Sequence, residues 1–281
     1  MPLLKVATVV HLYYGELWPE LAGYLRNLPE GSSLYVTMPT GRVDDRAVLR
    51  DFPLAEIVRF PNVGRDVAPF IQLLPRLQQF DVVCKIHTKR NVNGSGLWRT
   101  ELLRGVLDNR KLVTRILETF KTRSAILLAG SDALYLDGKK HLIGNRALLE
   151  EHFGNVPAKY GFFGGSMFWV RPQIISDFPN RFPTSVFVPH SKRDGHLEHA
   201  IERLIGLRAY SEGGEIGLTT INWLGNPALK IIPATRRGHF KAAIGRIERK
   251  RKRALRMRAL VRALGMQSLS SSVKCNTPDP T

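Results

Sequence analysis

The sequence predicts an α/β fold: a mostly parallel, Rossmann-like sheet flanked by helices, followed by a basic helical tail. Three observations predict it. Strand-like runs alternate with helical patterns of 7 to 14 residues, as in right-handed βαβ units. Hydrophobic residues make up 43% of the 281, enough for one large core. After Pro233 the composition turns strongly basic, which sets a domain boundary near residue 235.

Residues 4–10 are apolar and β-branched and read as the first strand. Residues 14–27 place Leu17, Leu21, Tyr24 and Leu25 at helical spacing, and Pro29 and Gly31 stop the helix. A second strand over 34–38, a short helix over 44–50 and a third strand over 55–60 follow. Asp66 then stands as the N-cap of a helix with Val67, Phe70, Ile71, Leu74 and Leu77 on one face. Residues 80–86 form the fourth strand, residues 98–107 and 111–122 two helices, and residues 125–129 a short buried strand. A helix over 145–153, a strand region over 162–170 broken by Gly164-Gly165, and a helix over 196–207 complete the body. The domains expected are 1–235, a basic amphipathic tail over 236–266, and a disordered Ser- and Pro-rich end over 267–281.

No run approaches the ~18 apolar residues of a membrane helix, and the N-terminus lacks a signal-peptide pattern, so a cytoplasmic location is expected. The two cysteines, Cys84 in an apolar strand and Cys275 in the tail, suit neither a disulfide nor a zinc site. Of the +18 net charge, residues 236–262 carry twelve Lys and Arg against one acid, Glu248, which leaves about +7 to residues 1–235.

Ligands of open α/β sheets sit beyond the carboxyl ends of the strands. His11, Tyr13 and Tyr14 follow the first strand, Asn62, Gly64, Arg65 and Asp66 the third, and Lys85, His87, Thr88 and Lys89 end the fourth. Cations beside aromatic and hydroxyl groups suit a ligand with phosphates and a flat ring, such as a nucleotide. Gly64-Arg65-Asp66 also reads as a plain capped turn, in which Gly64 permits a tight turn or a positive φ. Lys85 and His87 are two apart in a strand and share a face. A buried Lys needs an anion, either a ligand or an acid such as Asp66 or Asp132. The loop 91–96 before Trp98 and Arg99 reads as a flap or a plain surface loop. Phe162, Phe163, Gly164, Gly165 and Trp169 form either a sugar-contacting surface or a core strand with a bulge. Glu198 and Asp194 are candidates for a general base acting on a hydroxyl, with a helix cap and an ion-paired residue as the structural alternative.

Five blocks in order, HLYYGELWPEL, NVGRDVAPF, DVVCKIHTKR with a later WR, FFGGSMFWVRP and DGHLEHAIERLIG, resemble the rhamnan synthesis protein F family of bacterial polysaccharide assembly. The resemblance covers about residues 6–210. It implies a GT-A-like glycosyltransferase that moves a sugar, such as rhamnose, from a nucleotide-sugar donor to a lipid-linked saccharide in rhamnan, O-antigen or capsule synthesis. A sugar-phosphate transferase and a non-catalytic glycan-assembly module are the alternatives.

The resemblance also implies roles. His11, Tyr13 and Tyr14 would meet the base. Asn62, Gly64, Arg65, Asp66, Lys85, His87, Thr88, Lys89 and Arg99 would meet the rest of the donor. Phe162, Phe163, Gly164, Gly165 and Trp169 would meet the acceptor, and Glu198 or Asp194 would take its proton if the reaction inverts. Similar enzymes end the fourth strand in Asp-x-Asp around a divalent metal. Here it ends Lys85-Ile-His87-Thr-Lys89, so no metal and no cofactor is expected. The tail, with Met257, Leu260, Val261 and Leu264 on one helical stripe among arginines, suits an anionic membrane surface over residues 236–264. No nucleic-acid module is recognisable, and nucleic-acid binding is not expected.

Overall fold

The computed structural model describes residues 4–90, 97–189, 194–222 and 225–239. Residues 91–96, expected as a flap, and residues 240–281, which hold most of the expected tail, lie outside the described residues. Among those described, no helix is long and apolar enough to cross a membrane.

The strands are β1 (Val6–His11), β2 (Ser33–Pro39), β3 (Glu56–Phe60), β4 (Val82–His87), β5 (Ile126–Ser131), β6 (Tyr135–Asp137), β7 (Gly161–Phe163), β8 (Phe168–Val170), β9 (Glu215–Ile221) and β10 (Pro227–Pro233). The helices are α1 (Trp18–Leu25), α2 (Arg46–Asp51), α3 (Val67–Leu77), α4 (Leu97–Leu107), α5 (Arg110–Thr122), α6 (Arg146–Phe153), α7 (Phe178–Arg181) and α8 (Leu197–Ser211). Eight strands form one sheet in the order β10-β9-β5-β8-β4-β1-β2-β3, and β6 pairs with β7 apart from it.

β1, β2, β3 and β4 are mutually parallel, as the βαβ reading predicts. β8 runs antiparallel between β4 and β5, and β10 antiparallel to β9. The strand region expected over 162–170 is two strands in two sheets. Gly165 and Ser166 turn the chain between them with φ of 96° and 54°. β9 and β10, unmarked in the sequence reading, close the far edge, and prolines at both ends of β10 suit an edge position.

The strands of the middle are buried on both faces. Ala7, Val9, Val83, Phe168 and Val170 face α3, α7 and α8 in one continuous core. On the opposite face Trp169 is fully buried and its indole N–H donates to the Val106 carbonyl of α4 at 3.0 Å. Residues 234–239 still pack on this body: His239 N–H donates to the Tyr135 carbonyl at 2.7 Å, and the His239 carbonyl accepts from Asp137 N–H at 2.9 Å.

Candidate functional site

From β1 the strand order runs outward through β2 to β3, and the chain then returns to place β4 on the other side of β1. Such a switch point opens a crevice beyond the carboxyl ends. His11 and His87 are register partners there, and Thr37 is the partner of His11 on β2.

Beneath the crevice lies a buried polar network. Lys85 is 2% exposed, and its ammonium donates to Asp66 Oδ2 at 2.5 Å and to the Ser166 carbonyl at 2.9 Å. Phe70 and Phe168 rings stand 5.6 and 5.9 Å from Nζ. Lys85 is therefore the core of an ion pair rather than an open clamp. Of the two acids named from the sequence, Asp66 is the partner, while Asp132 meets His239 at 3.2 Å. Asp66 occupies the N-cap position of α3, but its side chain caps no backbone N–H, because Lys85 holds it.

His87 is 6% exposed, with Nδ1 3.3 Å from Asp66 Oδ2 in a geometry that makes no hydrogen bond. His11 Nδ1 bonds the Thr37 hydroxyl at 2.9 Å, and that hydroxyl reaches the Val10 carbonyl at 3.4 Å. Burial lowers His87 to about 3 and His11 to about 4; Asp66 pulls both upward and Lys85 both downward. Burial pushes Asp66 up, but His87 and Lys85 outweigh it and hold the carboxyl well below the usual range.

A pH dependence follows. Between the ordinary histidine value of 6.5 and the folded values of about 4 and 3, the unfolded chain binds protons that the native chain refuses. Stability contributed by the neutral imidazoles is full above pH 6.5 and falls as pH drops. The slope is about 1.4 kcal/mol per pH unit for each histidine. Asp66 adds a loss only below the unfolded carboxylate value, since its folded value is depressed. Urea titrations from pH 7.5 to 4.5 should show this slope and its flattening in His11→Gln and His87→Gln. An unchanged slope in both variants would exclude these groups as its source.

Two left-handed corners flank Lys85. Gly64 (φ 60°) and Arg65 (φ 54°) form one; a β-carbon on Gly64 would lie 2.4 Å from that of Ala68. Gly165 and Ser166 form the other. Non-glycine residues held there carry strain of about 1–3 kcal/mol each. Lys85 ties the corners together, through Asp66 on one side and the Ser166 carbonyl on the other. α8 braces both. Glu198, with its side chain 5% exposed, lies 3.5 Å from Arg65 Nε, and His199 Nε2 is 3.3 Å from Arg65 Nη1. One turn on, Glu202 accepts from Gly165 N–H at 2.6 Å and from the Ser166 hydroxyl at 3.4 Å. Burial raises the Glu202 carboxyl, against the pull of Arg203 and Lys89. The sequence reading did not single out Glu202 as a site residue; its place four residues after Glu198 was the available signal.

Other expected residues have structural tasks. The Thr88 hydroxyl accepts from the backbone N–H of Tyr13 at 2.9 Å and of Tyr14 at 3.1 Å, so it shapes the loop after β1. Arg99 pairs with Glu20 at 2.9 Å and donates to the Lys89 carbonyl. Asn62 is exposed on the turn before Gly64. Lys89 is half-buried, 5.5 Å from the Trp98 ring. Asp194 Oδ1 accepts from Asn145 at 2.7 Å and from Gly195 N–H at 3.0 Å, and Oδ2 lies 3.3 Å from Arg203 Nη2. Both its oxygens are thus engaged, which leaves it in a structural rather than basic role, although His196 and not Asp194 is the N-cap of α8.

The acceptor surface expected of Phe162, Phe163 and Trp169 does not form. All three are core, at 2%, 3% and 0% exposure. Gly164 is buried against Leu136, and the half-buried Gly165 packs against Leu102 and Trp98. Their spacing reflects close packing rather than ligand contact.

The Asp66 carboxylate at the start of α3 accepts from Lys85, and among the described residues no three His, Cys, Asp or Glu side chains form a metal-holding group.

The accessible part of the site is a cleft of about 720 Å³ beyond β1 and β2, lined by Tyr13, Tyr14, Glu16, Arg42, Asp44 and Arg90 among others. The Tyr13 and Tyr14 rings meet edge to face at 4.8 Å, and His11 lies 6.4 Å from Tyr13. Such a volume holds a nucleotide-sized ligand.

The chain is 27% identical over 225 residues to the uncharacterized protein WxcX of Xanthomonas campestris pv. campestris (strain B100), covering 75% of this chain and 32% of that protein. WxcX of a second strain of that pathovar matches equally. The chain spans about a third of the length of these relatives. Among solved structures it is similar to a CMP:2-keto-3-deoxy-manno-octonic acid synthetase complexed with CTP, at TM-score 0.38 and 12% identity over 90% of this chain and 99% of the other. A glucosyl-3-phosphoglycerate synthase from Mycobacterium tuberculosis, in complex with Mn2+, UDP and glucosyl-3-phosphoglycerate, gives TM-score 0.38 and 15% identity over 82% and 88%. Residues 1–134, which carry three of the five motif blocks and the whole β1–β4 crevice, match the family model of rhamnan synthesis protein F, so the resemblance read from those blocks is to that family.

Proposed function

We propose that the chain carries a glycosyltransferase activity in bacterial cell-surface polysaccharide synthesis, using a nucleotide-sugar donor. The observation that carries this reading is the switch-point crevice between β1 and β4, with an aromatic cleft at its mouth and a buried Lys85–Asp66 pair beneath, within the 134 residues that match the rhamnan synthesis protein F model. The donor base lies against Tyr13 and Tyr14, with its phosphates in the same cleft. Lys85 and His87 set the potential of the crevice floor from below rather than touching the donor.

In an inverting transfer the bond from the sugar's anomeric carbon to the diphosphate breaks. The acceptor oxygen bonds that carbon, and the hydroxyl proton passes to Glu198, which Arg65 positions. The diphosphate leaves with fixed cations in place of a metal, so the transfer is metal-independent. The acceptor is a lipid-linked saccharide at the inner face of the cytoplasmic membrane, and the basic segment 236–264 brings the enzyme to that surface.

The test is a screen of nucleotide-sugars with and without EDTA, reading nucleoside diphosphate release. Release that survives EDTA and falls at least 100-fold in Glu198→Gln is expected. Nucleoside monophosphate as the product would replace glycosyl transfer by sugar-phosphate transfer. Liposome flotation of the full chain with anionic vesicles should weaken at high salt, and flotation unaffected by removal of 240–281 would sink the membrane role of the tail.

A further inference from the structure

The crevice has a buried charge network that a ligand does not reach and an exposed pair of arginines that no step above employs. Arg42 lies over Tyr13, its guanidinium carbon 4.0 Å from the ring centroid, with Nε 3.4 Å from the Tyr13 carbonyl. Arg90 lies over Tyr14 at 4.3 Å. The two arginines come from different strands' ends: Arg42 follows β2 and Arg90 follows β4. The two tyrosines they cover are consecutive and are pinned by the Thr88 hydroxyl. Both guanidinium groups thus sit over tyrosine rings in one cleft, Arg90 with its Nε and Nη2 on Glu16, an arrangement that orients the planar fork before any ligand arrives.

The charge balance of the cleft points the same way. Its two acids are already engaged, Glu16 by Arg90 and Asp44 by Arg46. Arg42 is exposed and forms no ion pair among the described residues. Arg42 thus has no carboxylate bonded to it, although Glu16 lies within its electrostatic reach. A second guanidinium can exchange the exposed Glu16 carboxylate for a stronger polyanion. Lys85, by contrast, is 2% exposed and has an anion of its own.

We propose that Arg42 and Arg90 are the diphosphate-recognising residues of this site, gripping one phosphate group each, and that the ligand they select is a nucleoside diphosphate, free or as the leaving half of a sugar donor. This rests on the nucleotide-sugar reading above and names the groups that discriminate a diphosphate from a monophosphate.

The experiment is calorimetric titration of the full chain with UDP, GDP and dTDP, the three matching monophosphates and inorganic pyrophosphate, for wild type, Arg42→Ala, Arg90→Ala and the double variant. Wild type should bind one diphosphate at least ~10-fold more tightly than its monophosphate, and each single variant should lose about 10-fold. In the double variant the preference for diphosphate should vanish. Arg42→Lys should recover only part of the loss, since it restores charge without the fork. Thermal melts of the same samples check folding; both side chains are exposed, and Arg→Gln replaces any Ala variant that melts early. Wild-type affinity in the double variant overturns the assignment of these arginines while nucleotide binding itself stands. Pyrophosphate binding as tightly as any nucleotide overturns the nucleoside part. No binding of any diphosphate to wild type overturns both this assignment and the nucleotide-sugar reading beneath it.

Discussion

Lys85→Met should lower folding stability by about 3–5 kcal/mol, the usual consequence of leaving one member of a buried ion pair behind. The magnitude follows from burial. Asp66 keeps a side-chain exposure of only 15%, and the ammonium that neutralises it is at 2%. Without Lys85 the carboxylate loses its charge partner, the Ser166 carbonyl loses its donor, and both strained corners lose their common tie. The double variant Lys85→Met, Asp66→Leu should recover most of the loss, because an apolar pair of similar volume removes both desolvation terms. Urea midpoints of the two singles and the double form a cycle that measures this coupling. A wild-type midpoint in Lys85→Met would mean that Asp66 is solvated, contrary to the packing of Phe70 and Phe168 around the pair.

Trp169→Ala should cost a similar amount, about 3–5 kcal/mol for a large aromatic removed from a core. Trp169 sits on β8 between β4 and β5, at 0% exposure, and its one polar atom is satisfied by Val106. Trp169→Phe should cost less, losing mainly the indole hydrogen bond and part of the contact area. The comparison separates two readings of the aromatic stretch. If Trp169 were an acceptor platform, the Ala variant would keep its denaturation midpoint and lose only acceptor affinity.

The first half of the fold was legible because its elements alternate cleanly. β1 to β4 and α1 to α3 fall within a few residues of their expected spans, and the parallel pairing follows from the crossovers. The same logic reached the site's core: two charged residues two apart on an apolar strand had to share a face and find an anion, and Asp66 was one of the two acids named. What failed was the distinction between a side chain that needs a ligand and one already satisfied by the fold. Lys85 lies in contact with a corner 81 residues away, a fact that no local spacing encodes. The aromatic block misled for a related reason. Rings beside glycines mark close approach, and here the approaching groups are Leu136, Leu102 and Trp98, not a sugar. β9 and β10 escaped because Gly217 interrupts β9 and β10 carries prolines at both ends and Lys230 among half-buried apolar residues.

The reversed direction of β8 has a kinetic corollary. Because it runs against its neighbours, its entry corner, Gly165-Ser166, arrives at the edge of the sheet where β4 ends. The parallel strands before it can assemble from local crossovers, but their central ammonium stays hydrated until a segment 81 residues downstream inserts. Closure of that loop and dehydration of the charge are then one event. The central reversed strand acts as the latch of the folding reaction, late to form and early to open, and pulsed hydrogen exchange should find the β4–β8 amides gaining protection together, after those shared by β1 and β2.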